Sequence, residues 1–183
     1  MTAGTDGHAV LWPISAETNQ VLEWHDPRRL HQNASKAMVS CHTGNDTTLI
    51  VSGGDDGALA FMTTKNNTTK PSHGSNASPP VLVNRAHGSA VTACAVIKIG
   101  ADFYVLTSGN DEWVRLWKVV LDGKEETESE STLTITRLSK VKTSVADVSS
   151  MAVLGTASDT TARVLLCGVG MEVIQLDLSK TEE

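Results

Sequence analysis

Aromatic residues are scarce in this chain of 183 residues: two Phe, one Tyr and four Trp, 4% in all. That excludes a core built on aromatic stacking and leaves the excess of Trp over Phe to be explained. Cysteine is equally sparse. Cys41, Cys94 and Cys167 are odd in number and lie 53 and 73 residues apart, with no Cys-x-x-Cys or Cys/His cluster. Neither a zinc site nor a disulfide framework is expected; the thiols read as small apolar residues of strands in a reducing compartment. No apolar run approaches the ~20 residues of a membrane helix; the longest, residues 164–167, stops at Gly168. The first seven residues (MTAGTDG) carry no basic segment and no apolar stretch, so no secretory signal and a cytoplasmic location are expected. Cations are in the minority, 15 Lys+Arg against 21 Asp+Glu for a net −6. That argues against a nucleic-acid grip by phosphate neutralisation alone. Helical periodicity of any length is missing.

What is present favours strands. Ser and Thr number 17 and 21, and Thr and Val outweigh strong helix formers. Five Asn-x-Ser/Thr triplets, at Asn33, Asn45, Asn66, Asn67 and Asn76, read as by-products of that composition.

The chain repeats itself. Three seven-residue segments align without gaps: DGHAVLW from Asp6, DGALAFM from Asp56 and DEWVRLW from Asp111. Each opens on Asp, ends six positions later on a large residue (Trp12, Met62, Trp117), and follows a hydroxyl residue by four positions (Thr2, Ser52, Thr107). His31 precedes Asp56 by 25 residues and His87 precedes Asp111 by 24. Each His leads a strand-like segment, residues 37–41 and 90–96. Further strands are expected at 48–51, 103–106 and, strictly alternating and half-exposed, 132–138. Residues 63–80 lack any large apolar side chain and read as a flexible loop; 122–131 (DGKEETESES) read as a solvated acidic loop.

A neutral imidazole donates and accepts at once, so each His can bridge a buried carboxylate and a hydroxyl. His87, Thr107, Asp111 and Trp117 make one complete set. His31, Ser52 and Asp56 make three-quarters of another, with Met62 in the Trp place and a looser network expected. Thr2, Asp6 and Trp12 are the remains of a third. Read alone, His87, Thr107 and Asp111 look like a catalytic triad, but a catalytic site would not recur at repeat spacing. His25-Asp26 is expected in a loop without a nucleophile, and the Gly-rich pieces at 52–57 and 167–170 lack the Lys of a phosphate loop. Trp113, Arg115 and Trp117 share a strand face by period two, so Arg115 is expected to pack between two indoles or to reach water.

This pattern resembles the WD-repeat family, whose four-stranded blades form β-propellers held by a His–Ser/Thr–Asp–Trp tetrad. The resemblance implies an all-β partial propeller, about three and a half antiparallel blades in an open arc. The expected units are 1–30 (end of a truncated blade), 31–85, 86–138, 139–178 (a degenerate blade) and a tail, 179–183. In the degenerate unit strands are expected at 144–154, 162–167 and 171–176, with Gly170 in the Asp place, Leu166 and Leu176 in the Ser/Thr and Trp places, and apolar packing alone holding it. An arc of this length reads as the C-terminal part of a longer chain or a truncated gene product, with open faces that favour aggregation. Residues 144–153 (SVADVSSMAV) and 166–173 (LCGVGMEV) resemble the C-terminal end of the WD-repeat subunits that partner tRNA wobble-nucleotide 2′-O-ribose methyltransferases. Similarity extends to residues 29–33, 51–59 and 86–92, with Ser35 and Met62 as departures. It implies a non-catalytic scaffold without cofactor, metal or membrane contact. Its protein partner would carry the methyltransferase chemistry, and tRNA would be reached through the complex. Arg28, Arg29, Arg85, Lys140 and Lys142 are then candidate phosphate contacts, or ordinary surface charge. The alternative is a generic WD-repeat adaptor, such as a ubiquitin-ligase substrate receptor or trafficking scaffold.

Overall fold

The computed structural model describes residues 1–12, 14, 17–21, 26–44, 46–65, 77–122, 132–158 and 160–179. Thirteen strands form antiparallel sheets and no helix is present among these residues. The first sheet holds β1 (Thr2–Ala3), β2 (His8–Leu11) and β3 (Asp26–Arg29) in that order. The second holds β4 (Ser35–Gly44), β5 (Thr47–Gly54), β6 (Leu59–Lys65) and β7 (Val81–Val83). The third holds β8 (Val91–Ile99), β9 (Asp102–Gly109), β10 (Trp113–Asp122) and β11 (Thr132–Lys142). The last pairs β12 (Ala146–Ser158) with β13 (Thr161–Asp177). Each strand pairs with its sequence neighbour, so the sheets are meanders stacked in order as an open, partial propeller.

β13 is extended throughout, yet it cannot be straight. At ~3.3 Å per residue it would put its ends far apart, whereas the Leu178 amide donates to the Thr160 carbonyl at 2.8 Å. The segment therefore doubles back about Val169, beside Gly170 at φ 113. Ala162 and Val164 of the first arm and Ile174 and Leu176 of the second are all buried on one face. The expected strands at 162–167 and 171–176 are these two arms.

Three apolar layers lie between successive sheets, which is why the middle strands are buried on both faces. Ala9 and Leu30 meet Ile50, Ala60 and Met62. Leu49, Val51, Leu59 and Phe61 meet Val91, Val105, Trp117 and Val119. Ala93, Leu106, Val114 and Leu116 meet Val148, Val164, Leu166 and Leu176. In β11 a bulge opposite Leu116 and Trp117 leaves Leu138 as the extra residue. Alternation flips there: Leu133 and Ile135 face the second layer, Leu138 and Val141 the third.

Several boundaries differ from expectation. Residues 63–65 of the expected loop belong to β6, and Thr64 bridges Ala77; residues 66–76 lie outside the described ones. Asp122 ends β10, and the rest of the acidic loop lies outside. β11 runs to Lys142, so the last unit begins at Thr143 rather than 139. Asp26 opens a strand rather than lying in a loop. His25, Asn45, Asn66, Asn67, Asn76 and residues 180–183 lie outside the described residues.

Candidate functional site

At one end of each sheet the strand-to-strand turn meets the segment entering the next sheet. Gly7, Gly57 and Glu112 all adopt positive φ, at 77°, 72° and 60°. Their carbonyls accept the amides of His31 (3.1 Å), His87 (2.9 Å) and Thr143 (3.0 Å). A Cβ at Gly57 would stand 2.6 Å from the His87 carbonyl oxygen, so this turn requires glycine. The linked residues 31, 87 and 143 are spaced 87 − 31 = 56 and 143 − 87 = 56.

The third sheet brings His87, Thr107, Asp111 and Trp117 together. His87 Nδ1 lies 3.0 Å from Asp111 Oδ1 and His87 Nε2 lies 2.8 Å from Thr107 Oγ1. Trp117 Nε1–H donates to Thr107 Oγ1 at 2.9 Å. A carboxylate only accepts, so Nδ1 carries the proton and Nε2 accepts from the Thr107 hydroxyl. The relay has one direction: indole to hydroxyl to imidazole to carboxylate. Asp111 also accepts the amides of Gly88 (3.0 Å) and Trp113 (3.2 Å). Burial pushes the His87 pKa below its usual value, the Asp111 hydrogen bond opposes that, and Arg115 adds to it. For Asp111 burial acts upward, but hydrogen bonds from His87, Arg115 and Gly88 outweigh it and hold the carboxyl far below the usual range.

Arg115 does not pack between indoles. Its Nη1 donates to Asp111 Oδ2 at 2.7 Å, with both side chains 13% exposed. Lys140 instead lies over the Trp113 ring at 5.1 Å. The carboxylate four residues back draws the guanidinium more strongly than a ring face does.

In the second sheet His31 Nε2 lies 2.9 Å from Ser52 Oγ. His31 Nδ1 lies 3.3 Å from Asp56 Oδ1, off hydrogen-bond geometry. Asp56 accepts the amides of Gln32 (2.8 Å) and Ala58 (3.1 Å). Met62 is buried and supplies no donor, but the Ser52 hydroxyl is not short of a partner. Ser35 Oγ lies 2.7 Å from it and takes the place of the indole. The expected looseness at Ser52 is thus corrected. The signal was present in the sequence: Ser35 departs from an apolar pattern where Met62 departs from Trp. Ser35→Ala should leave Ser52 with one partner and cost about 1 kcal/mol in urea denaturation; the same change at exposed Ser40 should cost nothing measurable.

In the first sheet Trp12 Nε1–H donates to Thr2 Oγ1 at 2.8 Å, and Asp6 accepts the His8 amide at 3.0 Å. No histidine bridges Thr2 to Asp6 among the described residues. The last unit is not held by apolar packing alone. Buried Thr143, 56 residues after His87, donates to Glu172 Oε2 at 2.5 Å, and the Ser144 amide donates to the same oxygen at 2.9 Å. Glu172 thus does for this unit what Asp56 and Asp111 do, from two positions beyond Gly170. Thr92 of β8 donates to the Val148 carbonyl of β12, tying the third sheet to the last. Leu166 and Leu176 are buried in the third apolar layer.

Both imidazoles and the Ser52 and Thr107 hydroxyls are buried. The arrangement is suited to fixing turns rather than meeting a substrate. No group of three or more potential metal ligands occurs among the described residues. Cys41, Cys94 and Cys167 are free thiols, and burial pushes Cys94 up to about 12. Of the five candidate phosphate contacts, Lys142 pairs with Glu112 at 3.3 Å, Lys140 covers Trp113, and Arg29 Nε donates to the His31 carbonyl at 3.5 Å. Arg28 is also engaged, and Arg85 sits at positive φ, 54°. No helix among the described residues is long and apolar enough to cross a membrane. No protein-family model and no curated protein matches the chain.

Proposed function

We propose that this chain is a non-catalytic WD-repeat scaffold, cytoplasmic and cofactor-free, that partners a tRNA 2′-O-ribose methyltransferase acting on the wobble nucleotide of the anticodon loop. The observation that carries the scaffold reading is the recurrence of one buried polar constellation in successive sheets. His87–Thr107–Asp111–Trp117 and His31–Ser52–Asp56 stand in corresponding turns. Their hydrogen-bonding capacity goes into holding those turns. The partner reading is supported by the resemblance of residues 144–153 and 166–173. They fall on β12 and on the doubled β13, where Val169, Met171 and Val173 are exposed apolar side chains suited to a protein interface.

The test is affinity purification of the chain from cells together with measurement of wobble 2′-O-methylation after deletion of its gene. Recovery of a tRNA methyltransferase and loss of that methyl group are expected. Normal methylation overturns the reading. Recovery of a ubiquitin ligase or vesicle coat instead would establish the generic adaptor.

A further inference from the structure

We propose that the outer edge of β1 and the exposed face of β4 form a docking site for an extended, histidine-led peptide strand of a partner polypeptide. Two independent observations meet there. The second and third sheets have four strands and the first has three. In the full sheets the innermost strand, β4 or β8, pairs with the strand corresponding to β1; among the described residues no strand pairs with that edge of β1.

The second observation is a difference in cover. The face of β8 turned toward β4 carries Thr92, Cys94 and Val96, all half-buried, and Lys98, whose Nζ donates to the His42 and Thr43 carbonyls at 3.4 and 3.2 Å. The corresponding side chains of β4, 56 positions earlier, are Lys36, Met38, Ser40 and His42, and all four are exposed. Met38 is 40% exposed. β4 thus has one face against β8 and the other uncovered, so an added strand would continue an inter-strand packing already made twice, β4 on β8 and β8 on β12.

The repeats also state what the occupant is. In both complete units a His opens the innermost strand, its ring filling the space between hydroxyl and carboxylate, and Ala follows three positions on (Ala34, Ala90). Ala90 accepts the Asn110 amide at 3.2 Å and Ala34 the Asp55 amide at 2.8 Å. Small or apolar residues come at six, eight and ten positions: Ala37, Val39, Cys41 and Ala93, Ala95, Ile97. In the first sheet Thr2 and Asp6 wait in those places, with Asp6 71% exposed. Strand addition at an open edge takes affinity from main-chain hydrogen bonds and specificity from alternate side chains. The His between Asp6 and Thr2 would supply the specificity.

The probe is a synthetic peptide copying residues 85–99 with Cys94→Ser, titrated into the isotope-labelled full chain and followed by NMR. Saturable shifts at Thr2, Ala3, the Trp12 indole, Met38 and His42 are expected. The same peptide carrying His87→Ala should bind about tenfold more weakly. Asp6→Ala in the chain, at an exposed site, should erase that difference. Equal affinity of the two peptides overturns the proposal, as does binding whose shifts fall on the β7 or β11 edges. Absence of saturation up to about 1 mM peptide, a bound near −4.1 kcal/mol, does the same. Self-association of the peptide-free chain through Met38 and His42 would assign the face to a second copy and also overturn it.

Discussion

Asp111→Ala is expected to lower the unfolding free energy by about 3 kcal/mol or more, the largest loss among single carboxylate removals in this chain. Its carboxylate is 13% exposed and accepts from His87, Arg115 and the amides of Gly88 and Trp113. Removing it leaves a nearly buried guanidinium facing a cavity, and breaking such a pair costs about 3–5 kcal/mol. It also strands the His87 Nδ1 proton and so loosens the relay through Thr107 to Trp117. Asp56→Ala is the internal comparison. Asp56 accepts two amides and has His31 at 3.3 Å, but no arginine reaches it. Its loss should be about 1–3 kcal/mol. Urea midpoints with unchanged m-values measure both. Equal losses at Asp111 and Asp56 would remove the arginine from the explanation. The double variant Asp111→Ala/Arg115→Ala should lose less than the sum of the single changes, because the stranded cation is gone.

The contrast between these two aspartates shows what was legible in the residues and what was not. Spacing alone placed His87, Thr107, Asp111 and Trp117 in one network. Strand pairing puts Arg115 opposite Thr107 and Trp117 opposite Val105, and that register follows from the alternation of apolar residues. Arg115 itself was misjudged because period two fixes only which face a side chain leaves from. Where a long side chain ends is decided by the strongest partner within reach, here a carboxylate and not a ring. Ser35 and Thr143 escaped for a related reason. Each does the work of a different residue type, a hydroxyl for an indole and a hydroxyl for an imidazole. A search for matching letters passes over substitutions that keep the hydrogen bond and change the residue. Glu172 is harder still: two positions beyond the expected turn, it reaches Thr143 because a longer side chain and a doubled-back strand compensate for the offset. The doubled strand was visible in the paired glycines Gly168 and Gly170. The bulge at Leu138, which flips β11 between two apolar layers, had no signal beyond a break in alternation.

Stability should fall in two stages as the solution is acidified. The first belongs to the histidines. Burial lowers the pKa of His31 and of His87 below 6.5, and for each the neighbouring aspartate opposes burial without overcoming it. Between the folded value and 6.5 the unfolded chain takes up a proton that the folded chain refuses. Stability therefore rises with pH across that window, is complete above 6.5, and is lost as pH falls below it. The slope approaches about 1.4 kcal/mol per pH unit for each histidine inside the window. The second stage belongs to Asp56 and Asp111, whose folded pKa values lie below the usual 3.8. Their contribution is present above 3.8 and disappears as pH falls through the folded values. Urea denaturation from pH 7.5 to 3 should thus show a decline that begins near pH 6.5 and steepens again below 3.8. The cation on Arg115 is one cause of the low His87 value. Arg115→Gln should accordingly raise the His87 titration midpoint, read from its imidazole resonances, and leave His31 where it was. A stability profile flat between pH 7 and 5, or histidines that titrate at or above 6.5 in the folded chain, would show that neither ring is held neutral by burial.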